Sequence, residues 1–448
     1  MKIWKLKKGH DARLRSRHPW VFSNELLDSP KSIKAGEPVE VQDYQGHFLA
    51  RGYGNPYSLI AFRAMSFYSV ELSPMSVESV VDKLLKAWQY RERCGFRQSF
   101  RLCYSEVDQI PGLILDRYVI HKNNKKYQVF SYQLLTAGLD VLFKSNQQWN
   151  SILQGLVEKS MQNQLSSIDW DHTFVLQKND VSIRKLEGLE VEDPIILKTV
   201  DEDDLREVEI VVQNVIDPND LVYFKVNLPE GQKTGFFLDQ TFNMRLLVQQ
   251  LEYQKDHLKN KTVRILDLCC YMGQWSTQIA HNLKKWGIQA EVHLVDVSEL
   301  ALKMAQKNLE RYTTGPHPIQ IFTYKKDVLD VAALFEVKEN EKSQLFDVVI
   351  SDPPAFVKNK KDIHQGLHAY LKLNSQAFKL AAPGAVVVSC TCSGLVQIED
   401  FKEALRKAVL RSGKNVRCVA FGAQGWDHPT LMNFPEGYYL KMVMHQLD

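Results

Sequence analysis

Three segments in the second half of the chain end in residue types that could bind a small cofactor and modify a planar substrate. The segments are RILDLCCYMGQWSTQIA at 264–280, FDVVISDPPAF at 346–356 and VVVSCTCSG at 386–394. Each begins with an apolar run typical of a buried strand and continues into polar or small residues. In a doubly wound sheet, ligands bind where the strands deliver their carboxyl ends. We therefore predict that a cofactor and a substrate bind side by side over these strand ends.

Carboxylates end three successive predicted strands, at Asp267, Asp296 and Asp327. A carboxylate at Asp296 can accept both hydroxyls of a ribose, and Asp327 could cap an adenine amino group. Gly273 lies in the turn before a predicted helix, where backbone amides can meet polar ligand groups. The fingerprint G-x-G-x-x-G is absent, which favours a nucleoside cofactor without phosphates, such as S-adenosylmethionine, over a dinucleotide. The alternative is that each Asp only caps the helix that follows it.

The sequence Asp352-Pro353-Pro354 predicts a rigid strand exit, because both prolines fix φ. The Asp352 carboxylate and nearby carbonyls could accept hydrogen bonds from an exocyclic amino group, and Phe356 could stack on a base. Enzymes that modify a base need it unstacked and read along its edge. The alternative is a turn with a purely structural role.

Cys390 and Cys392 are two residues apart in a predicted extended segment. A thiolate can add to C6 of a pyrimidine and make C5 nucleophilic enough to take a methyl group. Cys392 is the candidate nucleophile, since it ends the motif strand and is followed by Ser393-Gly394. Cys390 is interpreted as a core or supporting residue. An inert, buried cysteine is the alternative for both.

The composition predicts a soluble protein of two or three domains, with 448 residues, 24% charged and 44% hydrophobic. Seven cysteines, an odd number in a large chain, predict no disulfide framework and a reducing, cytoplasmic compartment. We predict neither a signal peptide nor a membrane-spanning segment. His364 and His368 have helical spacing but lack an adjacent acid, so no metal site is predicted.

Basic residues are concentrated near the N-terminus. Lys7, Lys8, Arg13 and Arg15 belong to a group of seven within the first seventeen positions, interrupted by Asp11. The net charge of +3 is too small to indicate nucleic-acid binding by itself, but this distribution could contact phosphates. The alternative is a solvated, charged terminus.

The pattern of elements changes twice along the chain. Residues 1–72 predict a small β domain, and residues 73–205 predict an α+β domain with helices at 75–94 and 145–162. An acidic stretch at 201–204 is predicted to be a loop. In residues 206–448, strands alternate with helices, which predicts an α/β domain with a parallel sheet.

These motifs together resemble those of the bacterial class I methyltransferases that make 5-methylcytosine in large-subunit ribosomal RNA. The resemblance covers nearly the whole chain. It is carried by KKGHDARLRSRHPWVFSNEL at 7–26, GQKTGFFLDQ at 231–240, ILDLCCYMG at 265–273, SDPPAF at 351–356 and SCTCSG at 389–394. It implies an N-terminal PUA-like domain that binds RNA, an α+β middle domain and a C-terminal Rossmann-like domain.

The resemblance also implies the roles of individual residues. The cofactor would be S-adenosylmethionine, contacted by Phe236, Asp239, Gln240, Asp267, Tyr271, Gly273, Asp296 and Asp327. Cys392 falls where the family keeps its proposed nucleophile, and Asp352-Pro353-Pro354 carries no second cysteine, so a single nucleophile is implied. The chain departs from the family at Cys269, Cys270, Met272 and Gln274 in the first motif, and at Leu371 and Lys372 after the proline motif.

We predict a cytoplasmic RNA methyltransferase that depends on S-adenosylmethionine and forms 5-methylcytosine in 23S ribosomal RNA. Two alternatives stay open at this point. One is methylation of another base atom, such as a guanine nitrogen, which needs no cysteine. The other is a non-catalytic RNA-binding assembly factor that keeps a degenerate methyltransferase fold. The oligomeric state is also open, with a homodimer among the alternatives.

Overall fold

The computed structural model describes residues 1–122, 125–143, 146–200, 204–335 and 345–448. Contacts divide the chain into two compact units. The first unit comprises Met1–Val212, Val226–Leu238 and Trp426–Gly437, and the second comprises Gln213–Lys225, Asp239–Gly425 and Tyr438–Asp448. The predicted domain boundaries near 72 and 205 stay predictions. Of the predicted acidic loop at 201–204, only Asp204 lies within the described residues.

The first unit begins with a five-stranded sheet in the order β1-β3-β4-β5-β2. Its elements are β1 (Lys2–Lys5), α1 (Ala12–Arg15), β2 (Trp20–Phe22), β3 (Pro38–Gln42), β4 (Phe48–Gly54) and β5 (Ile60–Ser66). Buried and partly exposed residues alternate along β3, as expected for a strand with one face on a core. Trp4, Val41 and Phe62 lie in that core. The small β structure predicted for this region is confirmed.

A second sheet follows in the first unit, with the order β10-β9-β8-β7-β11 and with β6 also paired to β7. The elements are α2 (Val77–Arg93), β6 (Phe100–Tyr104), β7 (Leu113–Lys122), β8 (Lys125–Leu134), α3 (Ala137–Leu142), α4 (Asn146–Gln162), β9 (Thr173–Gln177), β10 (Ile195–Lys198) and β11 (Val208–Gln213). The predicted helices at 75–94 and 145–162 are α2 and α4. The apolar stripe of α2 is buried in the core of this region, where Leu84 and Trp88 are fully enclosed.

The second unit is built on a seven-stranded sheet in the order β15-β14-β13-β16-β17-β19-β18. The elements from here to the C-terminus are β12 (Leu221–Val226), α5 (Thr241–Tyr253), α6 (Lys255–Leu258), β13 (Val263–Leu268), α7 (Gln274–Lys285), β14 (Ala290–Asp296), α8 (Glu299–Leu309), β15 (Ile319–Lys325), β16 (Phe346–Ser351), α9 (Ile363–Leu380), β17 (Ala381–Thr391), α10 (Ile398–Ser412), β18 (Val416–Ala423) and β19 (Lys441–Leu447). The pairs from β15 to β17 are parallel, and β19 runs antiparallel to β17 and β18.

Helices cover both faces of this sheet. Met244 of α5, Ile279 of α7 and Leu302 of α8 belong to one apolar core. Phe378 of α9 and Ala408 of α10 belong to another. Helices on both faces of a mostly parallel sheet define the Rossmann-like α/β architecture, which confirms the predicted fold class.

The strand order puts β13, β16 and β17 side by side, so the three motif segments end at the same edge of the sheet. One detail of the prediction was wrong. The strand β15 ends at Lys325, so Asp327 lies two residues beyond the strand rather than at its last position. Among the described residues, no helix is both long enough and apolar enough to cross a membrane.

Candidate active site at the strand ends

Asp267 is a fully buried carboxylate near the end of the central strand β13. Its Oδ2 accepts a hydrogen bond from the Ser276 hydroxyl at 2.6 Å, and its Oδ1 has no hydrogen-bond partner. Burial raises the pKa of Asp267 to about 7, against the lowering effect of the Ser276 hydrogen bond, and the charges of Asp352 and Asp296 raise it further. A buried carboxylate with an unpartnered oxygen is costly in a folded protein, which marks this position as a candidate ligand contact.

The turn between β13 and α7 has a strained backbone. Cys269, Tyr271 and Gly273 all have positive φ, at 62°, 48° and 72°. For the two residues with side chains this conformation is unfavourable, and such strain is concentrated at functional sites. A Cβ added at Gly273 would lie 3.0 Å from the Cβ of Ala305, so glycine permits the close approach of this turn to α8. The predicted turn at Gly273 and the helix after it are confirmed.

Asp296 joins this turn to the next strand. Its Oδ2 accepts from the Tyr271 amide at 3.0 Å, and its Oδ1 accepts from the Ser298 amide at 2.8 Å. The N-cap of α8 is Ser298, so Asp296 does not cap that helix. Asp327 differs, because it is exposed and its Oδ1 accepts from the Leu329 amide at 2.9 Å in a local turn. The capping alternative therefore describes Asp327 better than Asp296.

These residues fit S-adenosylmethionine, the cofactor that the resemblance implies. The unpartnered Oδ1 of Asp267 can accept a hydrogen bond from an ammonium or hydroxyl group. Each oxygen of Asp296 makes one hydrogen bond to an amide and keeps a second lone pair for a ribose hydroxyl. Neither group requires a phosphate, in agreement with the absence of a glycine-rich fingerprint.

Gln240 is bound to the proline motif. Its Nε2 donates to both carboxylate oxygens of Asp352, at 2.9 and 2.8 Å, and its Oε1 accepts from Asn243 at 2.7 Å. Trp275 Nε1 also donates to Asp352, at 3.0 Å. Asn243 fixes which end of the Gln240 amide faces Asp352, so the carboxylate is held in one orientation. The resemblance placed Gln240 beside the cofactor, and the structure brings it to the predicted substrate motif.

Asp239 and Phe236 belong to different units. In the second unit, Asp239 is buried and accepts a hydrogen bond from the Tyr439 hydroxyl at 2.5 Å. Phe236 is grouped with the first unit, where it is buried and its carbonyl accepts from the Tyr118 hydroxyl at 3.2 Å. The predicted cofactor contact of Phe236 therefore stays a prediction.

Cys392 directly follows β17 and is partly exposed. Its Sγ lies 3.9 Å from the carbonyl oxygen of Pro353. Pro353 is buried, whereas Pro354 is exposed. Cys390 is fully buried, and burial raises the pKa of its thiol well above the ordinary value. Of the two cysteines, only Cys392 is accessible beside the proline motif, as a nucleophile must be.

A buried tyrosine ties the proline motif to the Cys392 segment. The Tyr370 hydroxyl hydrogen-bonds with Thr391 at 2.8 Å and with Ser393 at 2.9 Å, and it accepts from the Phe356 amide at 3.3 Å. The Phe356 ring packs on Tyr370, with centroids 4.8 Å apart. Tyr370 and Asn374 are both fully buried and therefore hold the site rather than face solvent.

Trp275, Asn243 and Lys441 also lie at this site, and none of the sequence motifs predicted them. Trp275 is the residue most accessible to prediction, since it occupies the first turn of the helix after the glycine turn. Asn243 and Lys441 carry no local signal, because only the fold brings α5 and β19 to the strand ends.

The basic residues of the first unit have unequal surroundings. Lys7 and Lys8 are exposed, and Lys7 Nζ donates to the Asn24 carbonyl at 2.8 Å. Arg13 packs over the Phe22 ring at 4.8 Å. Arg15 differs from them, because it pairs with two carboxylates, Asp11 at 2.5 Å and Asp43 at 2.6 Å. The two acids offset the positive charge of Arg15, so Arg15 adds less to the basic surface than its neighbours do.

Comparison with known proteins agrees with this architecture. A PUA-like domain family matches residues 5–67, and an FtsJ-like methyltransferase family matches residues 247–425. Ribosomal RNA large subunit methyltransferase I from Tolumonas auensis is 30% identical over 439 residues, which cover 97% of each protein. The protein of the same name from Shewanella frigidimarina is 30% identical over 442 residues, which cover 98% of this chain and 97% of the relative.

Solved structures extend the likeness. A SAM-dependent methyltransferase from Streptococcus mutans aligns over 100% of both chains with a TM-score of 0.69 and 15% identity. A methyltransferase complexed with SAH gives the same coverage, TM-score and identity. At this identity the likeness shows the fold, which is that of a Rossmann-like methyltransferase with an N-terminal PUA-like domain. With the near full-length sequence likeness added, the chain belongs to the ribosomal RNA large subunit methyltransferase I family of enzymes.

Proposed function

We propose that this enzyme methylates C5 of a cytosine in large-subunit ribosomal RNA, with Cys392 as the nucleophile and S-adenosylmethionine as the methyl donor. The observation that carries the proposal is the 3.9 Å separation between Cys392 Sγ and the Pro353 carbonyl oxygen. This separation places the accessible Cys392 thiol beside Asp352 and Pro353, whose oxygens could accept hydrogen bonds from the amino group of a base. The names of the relatives support the choice of RNA, since they are ribosomal RNA methyltransferases.

The chemistry of the cytosine ring explains why a cysteine is needed. C5 is too poor a nucleophile to take a methyl group until a thiolate has added to C6. Formation of the bond between Cys392 Sγ and C6 moves electron density to C5. S-adenosylmethionine, when bound, supplies the electrophilic methyl group. After C5 has taken the methyl group and S-adenosylhomocysteine has left, the C5 proton passes to water, the C5–C6 double bond reforms and the thiolate of Cys392 is expelled.

The residues of the proline motif orient the base. Asp352 is held by Gln240 and Trp275, and a carboxylate has about four lone-pair sites, so it keeps acceptor capacity for a cytosine amino group. Pro353 contributes a second acceptor through its carbonyl. We assign the base edge to these two residues. Phe356 packs on Tyr370, so its proposed role is to shape the pocket beside the base.

The RNA backbone is proposed to dock on the basic surface formed by Lys7, Lys8 and Arg13. Replacing these three residues with Gln should flatten the salt dependence of RNA binding, by about 0.7–0.9 in log-log slope for each phosphate that is no longer neutralised. Arg15→Gln is the matched control, because its ion pairs with Asp11 and Asp43 already occupy it. An unchanged slope in the triple variant would show that these residues form a solvated terminus and do not contact RNA phosphates.

The direct test of the proposed function is the position and identity of the methyl group. Methylated nucleotides in 23S ribosomal RNA should be mapped from cells with and without the protein, and the cells without it should lack one 5-methylcytosine. Cys392→Ala should fail to restore the mark, whereas Cys390→Ala should restore it, since the buried Cys390 thiol stays protonated.

Two outcomes would contradict the proposal. A missing methyl group on a ring nitrogen would assign the enzyme to another base atom. Restoration of the mark by Cys392→Ala would make this cysteine a packing residue. The cytoplasmic location and a homodimeric state stay predictions from the sequence.

A further inference from the structure

Lys441 is a buried cation at the start of β19. In the antiparallel pairing of β17 and β19 it lies opposite Thr391, the last residue of β17. Only 3% of its surface is exposed. Its Nζ donates to the carbonyls of Ser393 and Tyr439, both at 3.3 Å, and lies over the Tyr438 ring at 5.3 Å. The ammonium is thus fixed next to the residue that follows Cys392.

None of the carboxylates that the structure describes compensates this charge. Among the residues that the structure describes, no Asp or Glu lies within ion-pair distance of Lys441, which contacts the two carbonyls and the Tyr438 ring instead. A buried ammonium without a counter-ion is unfavourable, and proteins rarely keep one without a function. Burial lowers the pKa of Lys441, and the negative charge of a Cys392 thiolate raises it.

We infer that Lys441 is a positioning residue that keeps Cys392 in the thiolate form near neutral pH. The thiol proton passes to water, and the sulfur becomes the counter-ion of the ammonium. A neighbouring lysine is a known cause of a lowered cysteine pKa. The chemical use of this thiolate rests on the proposed function, because an attack on C6 needs a thiolate beside the base.

The other titratable groups around Cys392 do not supply the same effect. Burial raises the pKa of Tyr370 on α9, of Tyr438 before β19 and of Cys390 on β17, so all three stay neutral. Asp352 after β16 carries a negative charge that disfavours a thiolate, but Gln240 and Trp275 donate hydrogen bonds to it. Lys441 supplies a positive charge that acts on Cys392 from one residue away, since its Nζ is held on the Ser393 carbonyl at 3.3 Å.

The test is the pH profile of alkylation of Cys392 by iodoacetamide in the full-length enzyme. Mass spectrometry of the tryptic peptide 380–402, with fragment ions that separate Cys390 from Cys392, gives the rate at each pH. In the wild type we expect a midpoint below the ordinary thiol value of about 8.5. In Lys441→Met the midpoint should rise by at least about one pH unit, and the rate at pH 7 should fall about tenfold.

Lys402→Met is the matched control. Burial raises the pKa of Cys418, and the charge of the partly exposed Lys402 opposes that rise. Lys402→Met should shift the profile of the exposed Cys418 and leave that of Cys392 unchanged. Lys441→Met should do the reverse. In the Lys402→Met variant Cys392 is followed on the tryptic peptide 380–406, because the substitution removes the cleavage site at residue 402. Melting temperature and calorimetric cofactor binding report whether each variant is folded. If Lys441→Met does not fold, an ordinary wild-type midpoint still overturns the inference.

A wild-type midpoint at or above about 8.5, or the same Cys392 midpoint in folded Lys441→Met, would overturn the inference. Failure of the proposed function looks different. If the alkylation profile shifts as expected but the methyl group is found on a ring nitrogen, the inference about Lys441 holds and the assignment to cytosine C5 fails.

Discussion

The two halves of the strand-end site are held in place by different means. In the β13–β14 half, which contains Asp267, the turn at 269–273 and Asp296, the backbone does the positioning. Three residues of that turn have positive φ, and Asp296 accepts hydrogen bonds from two backbone amides. The β16–β17 half contains Asp352, Pro353 and Cys392, and side chains position it. Gln240 and Trp275 donate hydrogen bonds to Asp352, and the Tyr370 hydroxyl bonds the residues on either side of Cys392.

The difference suggests separate roles. A strained backbone turn with one unpartnered carboxylate oxygen suits a ligand that binds in the same position at every turnover and then leaves. A side-chain network suits a site where a thiol and a base must meet within a fraction of an ångström. Substitutions in the first half should therefore change cofactor affinity, and substitutions in the second half should change the rate of methyl transfer.

The largest effect is expected from Asp296→Ala. The variant loses the carboxylate proposed to accept two ribose hydroxyls, at a cost of about 2–4 kcal/mol, so Kd for S-adenosylmethionine should rise roughly 30- to 1000-fold. Isothermal titration calorimetry measures this Kd. Asp256→Ala is the matched control, because Asp256 is an exposed acid of α6 that pairs with Lys259 at 3.2 Å and is not part of the strand-end site. Unchanged affinity in a folded Asp296→Ala enzyme would remove the assigned role of the β13–β14 half.

A smaller effect, on rate rather than binding, is expected from Tyr370→Phe. Loss of the hydroxyl frees Thr391 and Ser393 beside Cys392, so kcat should fall about tenfold while cofactor affinity stays the same. Tyr312→Phe is the control, since it removes another buried hydroxyl, bonded to His281 at 3.2 Å. Equal losses of cofactor affinity in both variants would show that the two halves are not functionally separate.

The smallest effect concerns Asp267 and pH. Its folded-state pKa of about 7 lies above the unfolded value, so its contribution to stability is present at low pH and is lost as pH rises through about 7. Between pH 6 and 7.5 the wild type should lose about 1 kcal/mol of unfolding free energy relative to Asp267→Asn, which cannot titrate. Urea unfolding of both proteins measures this difference. A difference that does not change with pH would show that Asp267 is ionised throughout.

Much of the fold could be predicted because its signals are local. Apolar runs give β13, β16 and β17, and Gly273 gives the turn before α7. The parallel-sheet rule then brings Asp352 and Cys392 to one edge.

Contacts between distant segments could not be predicted. Gln240 and Asp352 are 112 residues apart in sequence, and they meet only because α5 begins over the strand ends. Lys441 lies on β19, an antiparallel strand that none of the sequence motifs predicts. Arg15 looked like its basic neighbours until the fold brought Asp43 beside it.

The central claim is that Cys392 forms a bond to C6 of a cytosine. It is tested most directly by incubating the enzyme and S-adenosylmethionine with 23S ribosomal RNA transcribed with 5-fluorocytidine. Fluorine at C5 cannot leave as a proton does, so the thioether cannot be released. We predict a covalent protein–RNA adduct that survives denaturation, maps to Cys392 by mass spectrometry and is absent in Cys392→Ala. Methylation of this RNA without an adduct, or an adduct that persists in Cys392→Ala, would contradict the account.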